Sequence, residues 1–372
     1  MKIGIDIRAL TPSKRSGIGS YIFWAIKNII ELDQENEYYL FSSGRKKAKF
    51  FPKEFEAKNV QHFHLNFPNK LLNLAFFFGF GPSLNKFFPV KLDLFWLPNI
   101  NFIKLDPETK LILTIHDLSF LHSKNFYDLK RKLWHKLVNV RSLAERAKQI
   151  ISVSQHTKRD VMRFFTVEED KIKVVYPGIQ HYQINKETAK KVVKDLNIAD
   201  KFFIYLGTLE PRKNIESVIK AFDRYHLEYP ETDLVLVGNK GWLYQKLLLS
   251  IKKRPYVKYL GFIDGLQKDA LYSLSQALIW PSFYEGFGFP PLEATMHKKP
   301  VITSYKTSLP EIMQNQALYV DPYNVSEIYQ LLKLISTDQA LLDRISKGAE
   351  NFKFYFWPEQ AQRIINLLKK CE

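Results

Sequence analysis

Ala277-Leu278-Ile279-Trp280-Pro281-Ser282-Phe283-Tyr284-Glu285-Gly286-Phe287-Gly288-Phe289-Pro290-Pro291-Leu292-Glu293-Ala294 reads as a buried strand, a loop with two glycines, and the opening of a helix. Pro290 and Pro291 suit a first helical turn, because proline lacks the N–H that would go unpaired there. Strand, glycine loop and helix N-terminus make an anion site, with backbone N–H groups and the positive dipole end facing one way. Glu285 sits in the loop and Glu293 one turn into the helix. An anion site flanked by two fixed carboxylates suits a ligand with phosphate in the middle and hydroxyls at both ends, the shape of a nucleotide-sugar. A plain βα turn with solvent-facing glutamates is the blander alternative, but it must account for both glutamates, both glycines and the double proline together.

Outward from this stretch, apolar runs of strand length alternate with amphipathic runs of helix length. That pattern predicts an α/β chain with parallel sheets. Strands are expected at Lys2–Ile7, Tyr38–Phe41, Val60–Leu65, Leu94–Leu97, Leu111–Ile115, Ile150–Val153 and Lys173–Val175. A second set is expected at Phe202–Leu206, Leu234–Val237, Val257–Leu260, Ala277–Trp280, Val301–Thr303 and Leu318–Val320. Helices fit between them, for instance Ser20–Leu32, Leu129–Ala147, Ile215–Tyr229 and Ser326–Ser336. The pattern resets near Tyr176-Pro177-Gly178-Ile179, and polar Gln180 to Glu187 reads as a linker. The expected organisation is two doubly wound, Rossmann-like domains, residues 1–178 and 187–356, facing across a cleft where ligands gather at the carboxyl ends of strands.

The 372 residues exceed one ordinary core, and 46% hydrophobic with 25% charged residues describes a globular chain. Cys371 is the only cysteine, which leaves no disulfide framework and fits a reducing cytosol. Met1 runs straight into a strand rather than a signal peptide, and no apolar run reaches the roughly 18 residues of a spanning helix. The net charge of +17 leaves two readings open, attraction to anionic lipid or compositional drift toward Lys, Ile, Asn and Phe. Nucleic acid is not an expected partner, since the bases are spread along the chain and no binding motif accompanies them.

Other strand ends carry chemistry. After Phe202–Leu206 comes Gly207-Thr208-Leu209-Glu210-Pro211-Arg212-Lys213-Asn214, then a helix. Arg212 and Lys213 beside that helix start are placed to neutralise a diphosphate, one as a fork and the other as a point charge. A departing nucleoside diphosphate gains charge as its bond to sugar breaks, so fixed cations there favour the transition state. A solvated helix start is the competing explanation. Asp6-Ile7-Arg8 ends the first strand. Gly17 and Gly19, in the loop Ser16-Gly17-Ile18-Gly19 that follows, would admit a phosphate or sugar close to the backbone. His116 and Asp117 end the strand Leu111–Ile115, where they orient a hydroxyl or merely cap the loop. Ser154 reads as a helix N-cap. There is no Asp-x-Asp, no His-x3-His, no Walker loop and no serine elbow, so neither a metal nor any other cofactor is expected.

The Glu285-x7-Glu293 pair around Gly286-Phe287-Gly288 resembles the signature of the retaining GT-B glycosyltransferases, the large bacterial mannosyl- and glucosyltransferase family of group 1, family four. The resemblance implies that Glu285 contacts hydroxyls of the transferred sugar, that the Gly286, Phe287, Gly288 and Phe289 amides hold the diphosphate, and that Glu293 binds the ribose. It favours His116 as a sugar or acceptor contact with Asp117 as its neighbour, and a C-terminal helix, 357–372, packed back on the first domain. Many relatives carry the arginine at the position of Thr208. Here Arg212 would supply the guanidinium from a neighbouring place. The family also implies retention of configuration, with GDP-mannose as the expected donor and a glycan or lipid-linked acceptor in envelope polysaccharide synthesis. The location implied is cytoplasmic, with peripheral contact at the inner membrane face. UDP-sugar donors stay open, as do a sugar-nucleotide epimerase or phosphorylase of the same fold and, from another class, a basic nucleic-acid-binding protein.

Overall fold

Thr232-Asp233-Leu234-Val235-Leu236-Val237 and Leu94-Phe95-Trp96-Leu97 are buried at every position, which requires cover on both faces of the sheet and hence crossover helices. The computed structural model describes residues 1–10, 17–44, 51–123, 126–180 and 184–371. Its first sheet holds β1 (Lys2–Asp6), β2 (Glu37–Ser43), β3 (Val60–Leu65), β4 (Leu94–Leu97), β5 (Lys110–Ile115), β6 (Gln149–Ser152) and β7 (Ile172–Val174). The second holds β8 (Lys201–Leu206), β9 (Thr232–Val237), β10 (Val257–Gly261), β11 (Leu278–Trp280), β12 (Val301–Ser304) and β13 (Leu318–Val320). Each expected strand is present, its ends moved by no more than two residues.

Strand order is β3-β2-β1-β4-β5-β6-β7 in one sheet and β10-β9-β8-β11-β12-β13 in the other. The pairings are parallel, for example Ile3 with Leu94 and Leu278 with Ile204. Both sheets are therefore doubly wound. Strand order reverses between β1 and β4 and again between β8 and β11. The carboxyl ends of those pairs are the switch points where ligands of such sheets gather.

Two compact units result. The first comprises Met1–Leu118, Leu129–Gly178 and the chain from Tyr355, and the second comprises Ser119–Asp128 and Ile179–Phe354. One segment departs from the expected 1–178 domain. Ser119–Asp128 groups with the second unit, where Tyr127 stacks on Trp242 at 5.3 Å and the Trp242 indole N–H donates to the Phe126 carbonyl at 2.5 Å. Ring pairing of this kind leaves no periodic trace in a sequence. The helix expected over Leu129–Ala147 is two, Leu129–Val138 and Val140–Arg146, because Asn139 adopts a left-handed conformation (φ 50°) and caps the second through Ser142 N–H. Of the linker, 181–183 lie outside the described residues, and the helix Lys186–Asp195 begins after the Asn185 cap.

The helix Trp357–Lys369 belongs to the first unit. Trp357 is buried with its ring 5.4 Å from that of Tyr21, and Lys369 pairs with Glu35 at 2.5 Å. Gly178 is needed beneath it, since a Cβ there would lie 2.4 Å from the Trp357 backbone nitrogen. Among the described residues, no helix is long and apolar enough to cross a membrane.

Candidate active site

The loops after β8 and β11 meet at the switch point of the second sheet. Gly207 makes that approach possible. A Cβ there would lie 2.3 Å from the Trp280 ring, which itself stacks on Tyr205 at 5.0 Å. Pro211–Lys213 forms a 3₁₀ turn, and Asn214 then takes a left-handed conformation (φ 56°) before the helix Ile215–Glu228. The buried Asn214 amide donates to the carbonyls of Pro281 at 3.0 Å and Pro322 at 2.6 Å, so one side chain ties three loops together.

This turn aims both cations at the glycine loop. The Lys213 ammonium donates to both carboxylate oxygens of Glu285, at 2.6 and 2.8 Å, and lies 4.6 Å from the centre of the Trp280 ring. The Arg212 guanidinium pairs with Glu210 at 2.7 Å, donates to the Tyr284 carbonyl at 3.0 Å and reaches Glu285 at 3.5 Å. Arg212 therefore reaches the loop despite its offset from Thr208. Burial pulls the Lys213 ammonium below its ordinary value and the adjacent Arg212 charge adds to this, while Glu285 and Glu210 oppose it. Two cations and two carboxylates share one cluster, buried except for the partly exposed Arg212, where their fields are weakly screened. Glu285, expected to face sugar hydroxyls, is also the counter-ion of both cations.

The glycine loop is held from the neighbouring strand end. Ser308 donates to the carbonyls of Glu285 and Phe287, both at 3.0 Å, and the Glu285 N–H donates to Thr307 Oγ1 at 3.0 Å. Gly288 has φ 107°, a conformation that favours glycine, and starts the helix Phe289–Met296. Pro290 and Pro291 occupy its first turn. They remove two N–H groups from the helix start, so the loop from Gly286 to Phe289 carries the amide donors. Glu293 lies elsewhere on that helix, paired with Lys268 at 2.6 Å and accepting from the Tyr272 hydroxyl at 3.0 Å.

In the first unit, Asp6 and Arg8 close a salt bridge at 2.6 Å after β1, and Arg8 also donates to the Phe102 carbonyl at 2.8 Å. His116 follows β5. Its Nε2 donates to the Pro98 carbonyl at 2.8 Å, and the Tyr21 ring lies edge-on at 4.7 Å. Burial lowers the His116 pKa, so the imidazole is neutral, protonated on Nε2, with Nδ1 as an acceptor. Asp117 acts on it through its charge, pulling the other way. Gly17 and Gly19 are not in a loop as expected. They form the first turn of the helix Gly17–Leu32, and Ser16 lies outside the described residues. Ser154 caps the helix Gln155–Phe164 by accepting from Thr157 N–H at 3.0 Å, as expected.

Family comparison decides what this constellation belongs to. The model of glycosyl transferases group 1 matches residues 186–352, and that of glycosyltransferase family 4 matches residues 29–182. The chain belongs to the group 1, family 4 glycosyltransferases. O-antigen chain mannosyltransferase B of Escherichia coli is 28% identical over 271 residues, 70% of each chain. The serotype-specific mannosyltransferase WbdA of Escherichia coli is 27% identical over 336 residues, 87% of this chain but 38% of that protein. Anabaena HepE, solved in complex with UDP-glucose, has the same fold at a TM-score of 0.74, with 17% identity and full coverage of both chains.

In this glycosyltransferase, sequence reasoning passed over Glu210, Thr307 and Ser308 and placed Asn214 only as the last residue before a helix. Each acts through another residue rather than through a motif of its own. Glu210 had a trace, an acidic residue two positions before the Arg212-Lys213 charge pair in the same turn. Thr307 and Ser308 had a weaker one, the polar run Thr303-Ser304-Tyr305-Lys306-Thr307-Ser308 at the end of the adjacent strand.

Proposed function

We propose that this glycosyltransferase moves a hexose, mannose from GDP-mannose, with retention of configuration, to a glycan or lipid-linked acceptor in envelope polysaccharide synthesis. The donor assignment draws on relatives named as mannosyltransferases, one of which acts on the O-antigen chain. The observation that carries the reading is the Arg212, Lys213 and Glu285 cluster at the β8/β11 switch point.

Two cations there, Lys213 buried and Arg212 partly so, offset the charge that develops on the leaving diphosphate, and the loop amides bind its remaining oxygens. Glu285, held by Lys213, accepts from sugar hydroxyls, and Glu293 holds the ribose. The neutral His116 orients a hydroxyl through Nδ1. The acceptor oxygen bonds to the anomeric carbon on the face the leaving group departs. The bond from that carbon to the diphosphate breaks, and the acceptor proton passes to a phosphate oxygen. Arg212 and Lys213 do the neutralising, so the transfer needs no divalent cation and proceeds unchanged in EDTA. Contact with the inner face of the membrane accompanies a lipid-linked acceptor.

The test has two parts. Thermal-shift measurements with GDP-mannose, UDP-glucose and UDP-GlcNAc identify the donor, since a ligand well above its Kd raises Tm. Acceptor-dependent release of GDP then reports transfer, and Arg212→Ala with Lys213→Ala reduces it at least ~100-fold. Undiminished turnover in that variant, or conversion of the donor with no acceptor present, refutes the reading.

A further inference from the structure

We propose that the helix Asn69–Phe77 and the loop after it are a docking surface for an anionic lipid bilayer. This helix is apolar on two sides. Leu72 and Phe76 are buried in the first unit, while Leu71, Leu74 and Phe78, spaced i, i+3 and i+7, point outward and are 49%, 51% and 57% exposed. A globular helix needs only the first of these faces. An outward row of large apolar groups marks an interaction surface.

The loop that follows is built to present more of the same. Gly79 and Gly81 both have positive φ, and the Lys104 ammonium donates to their carbonyls at 2.6 and 2.7 Å. The fold that results holds Phe78 and Phe80 stacked at 5.9 Å with Phe80 69% exposed. Two phenyl rings are thereby fixed in water by a lysine clamp, which gives them a shallow, preset wedge.

Charge selects the occupant. Between Glu56 and Asp93 the chain has no acidic residue and four lysines, Lys58, Lys70, Lys86 and Lys91. The helix Leu129–Val138 adds Lys130, Arg131, Lys132 and Lys136, again with no acid, and exposes Leu129 and Leu133. It lies beside the apolar helix, since Phe77 packs edge-on to Phe102 at 6.3 Å and Phe102 to Trp134 at 6.0 Å. Exposed apolar groups flanked by cations match lipid headgroups over acyl chains. The same charge opposes a second copy of this basic face. The lipid-linked acceptor proposed above gives the surface its purpose, but the binding can be measured with no substrate.

Co-sedimentation of the full chain with phosphatidylglycerol/phosphatidylethanolamine vesicles tests it, against phosphatidylcholine vesicles and against high salt. Wild type should partition onto the anionic vesicles. The double variant Leu74→Asp/Phe78→Asp should do so about tenfold less or worse, with an unchanged Tm and unchanged diphosphate release on a soluble acceptor. Lys130→Gln/Lys132→Gln/Lys136→Gln should weaken binding at low salt and lose its difference from wild type at high salt. Wild type left in the supernatant, or a double variant that pellets like wild type, overturns the proposal. So does sedimentation velocity showing a dimer that the double variant dissolves while vesicles are ignored. Loss of vesicle binding with intact turnover leaves the transferase reading standing, and absent turnover with intact vesicle binding leaves the docking surface standing.

Discussion

With both oxygens of Glu285 on the Lys213 ammonium, changing either residue alters charge and ligand contact together. Lys213→Met leaves a buried carboxylate without its main partner, so denaturant unfolding should show a loss of about 3–5 kcal/mol. Adding Glu285→Ala to that variant should recover part of the loss, which a lone Glu285→Ala would not reveal. Glu285→Gln keeps the shape and removes the counter-charge from Arg212 and Lys213. Calorimetry should then show tighter binding of free GDP, by roughly tenfold, beside lower turnover. His135 offers a pH prediction. Burial pushes its pKa down to about 4, with Arg131 helping and Asp117 opposing. Between that value and the ordinary value near 6.5 the unfolded chain binds more protons, so the stability held above about pH 6.5 is lost as pH falls toward 4. Tm measured over that window should fall more steeply in wild type than in His135→Gln. The identity of the charged residues was legible in the sequence. Their pairing was not, because Lys213 and Glu285 stand 72 positions apart and meet only across two loops.

Glycines separate two kinds of constraint at the level of the element. Gly207 abuts the Trp280 ring at the end of β8, and that ring is buried and stacked, so it has no room to yield. Gly207→Ala should cost about 1–3 kcal/mol by denaturant titration. At Gly17 an added Cβ meets nothing within 4 Å. Gly17→Ala should keep or slightly raise Tm, since alanine favours a helix over glycine by about 1 kcal/mol. If substrate approaches that turn, turnover falls while Tm holds, and unchanged turnover removes Gly17 from the site. Strands were readable because parallel strands buried on both faces appear as unbroken apolar runs such as Leu94-Phe95-Trp96-Leu97. The break at Asn139 was not, since Leu129–Ala147 keeps helical periodicity through a residue whose left-handed backbone is set by its surroundings.

At the level of the molecule, each unit has its own core, and the C-terminal helix belongs to the first. Trp357 lies beneath it against Tyr21. Trp357→Ala should destabilise the first unit by about 3–5 kcal/mol in denaturant titration. Nucleotide binding under native conditions should hold, because the Arg212 and Lys213 cluster lies in the second unit. A fall in nucleotide affinity equal to the fall in stability would show instead that the two units behave as one. This recruitment of the last helix left no mark in composition or periodicity, and neither did the grouping of Ser119–Asp128 with the second unit.

Hydrophobic period, turn residues and spacing are local quantities, and they were enough to specify two doubly wound sheets and the glycine loop that carries the family resemblance. Which groups neutralise one another is a matter of distance through space. Asn214 tying three loops, Ser308 holding the glycine loop, Glu210 steadying Arg212 and Lys268 pairing with Glu293 all join residues through the fold or within a single turn. Side-chain hydrogen bonds and ion pairs act over about 3 Å, so only the tertiary structure, by bringing strand ends together at the switch point, could decide them.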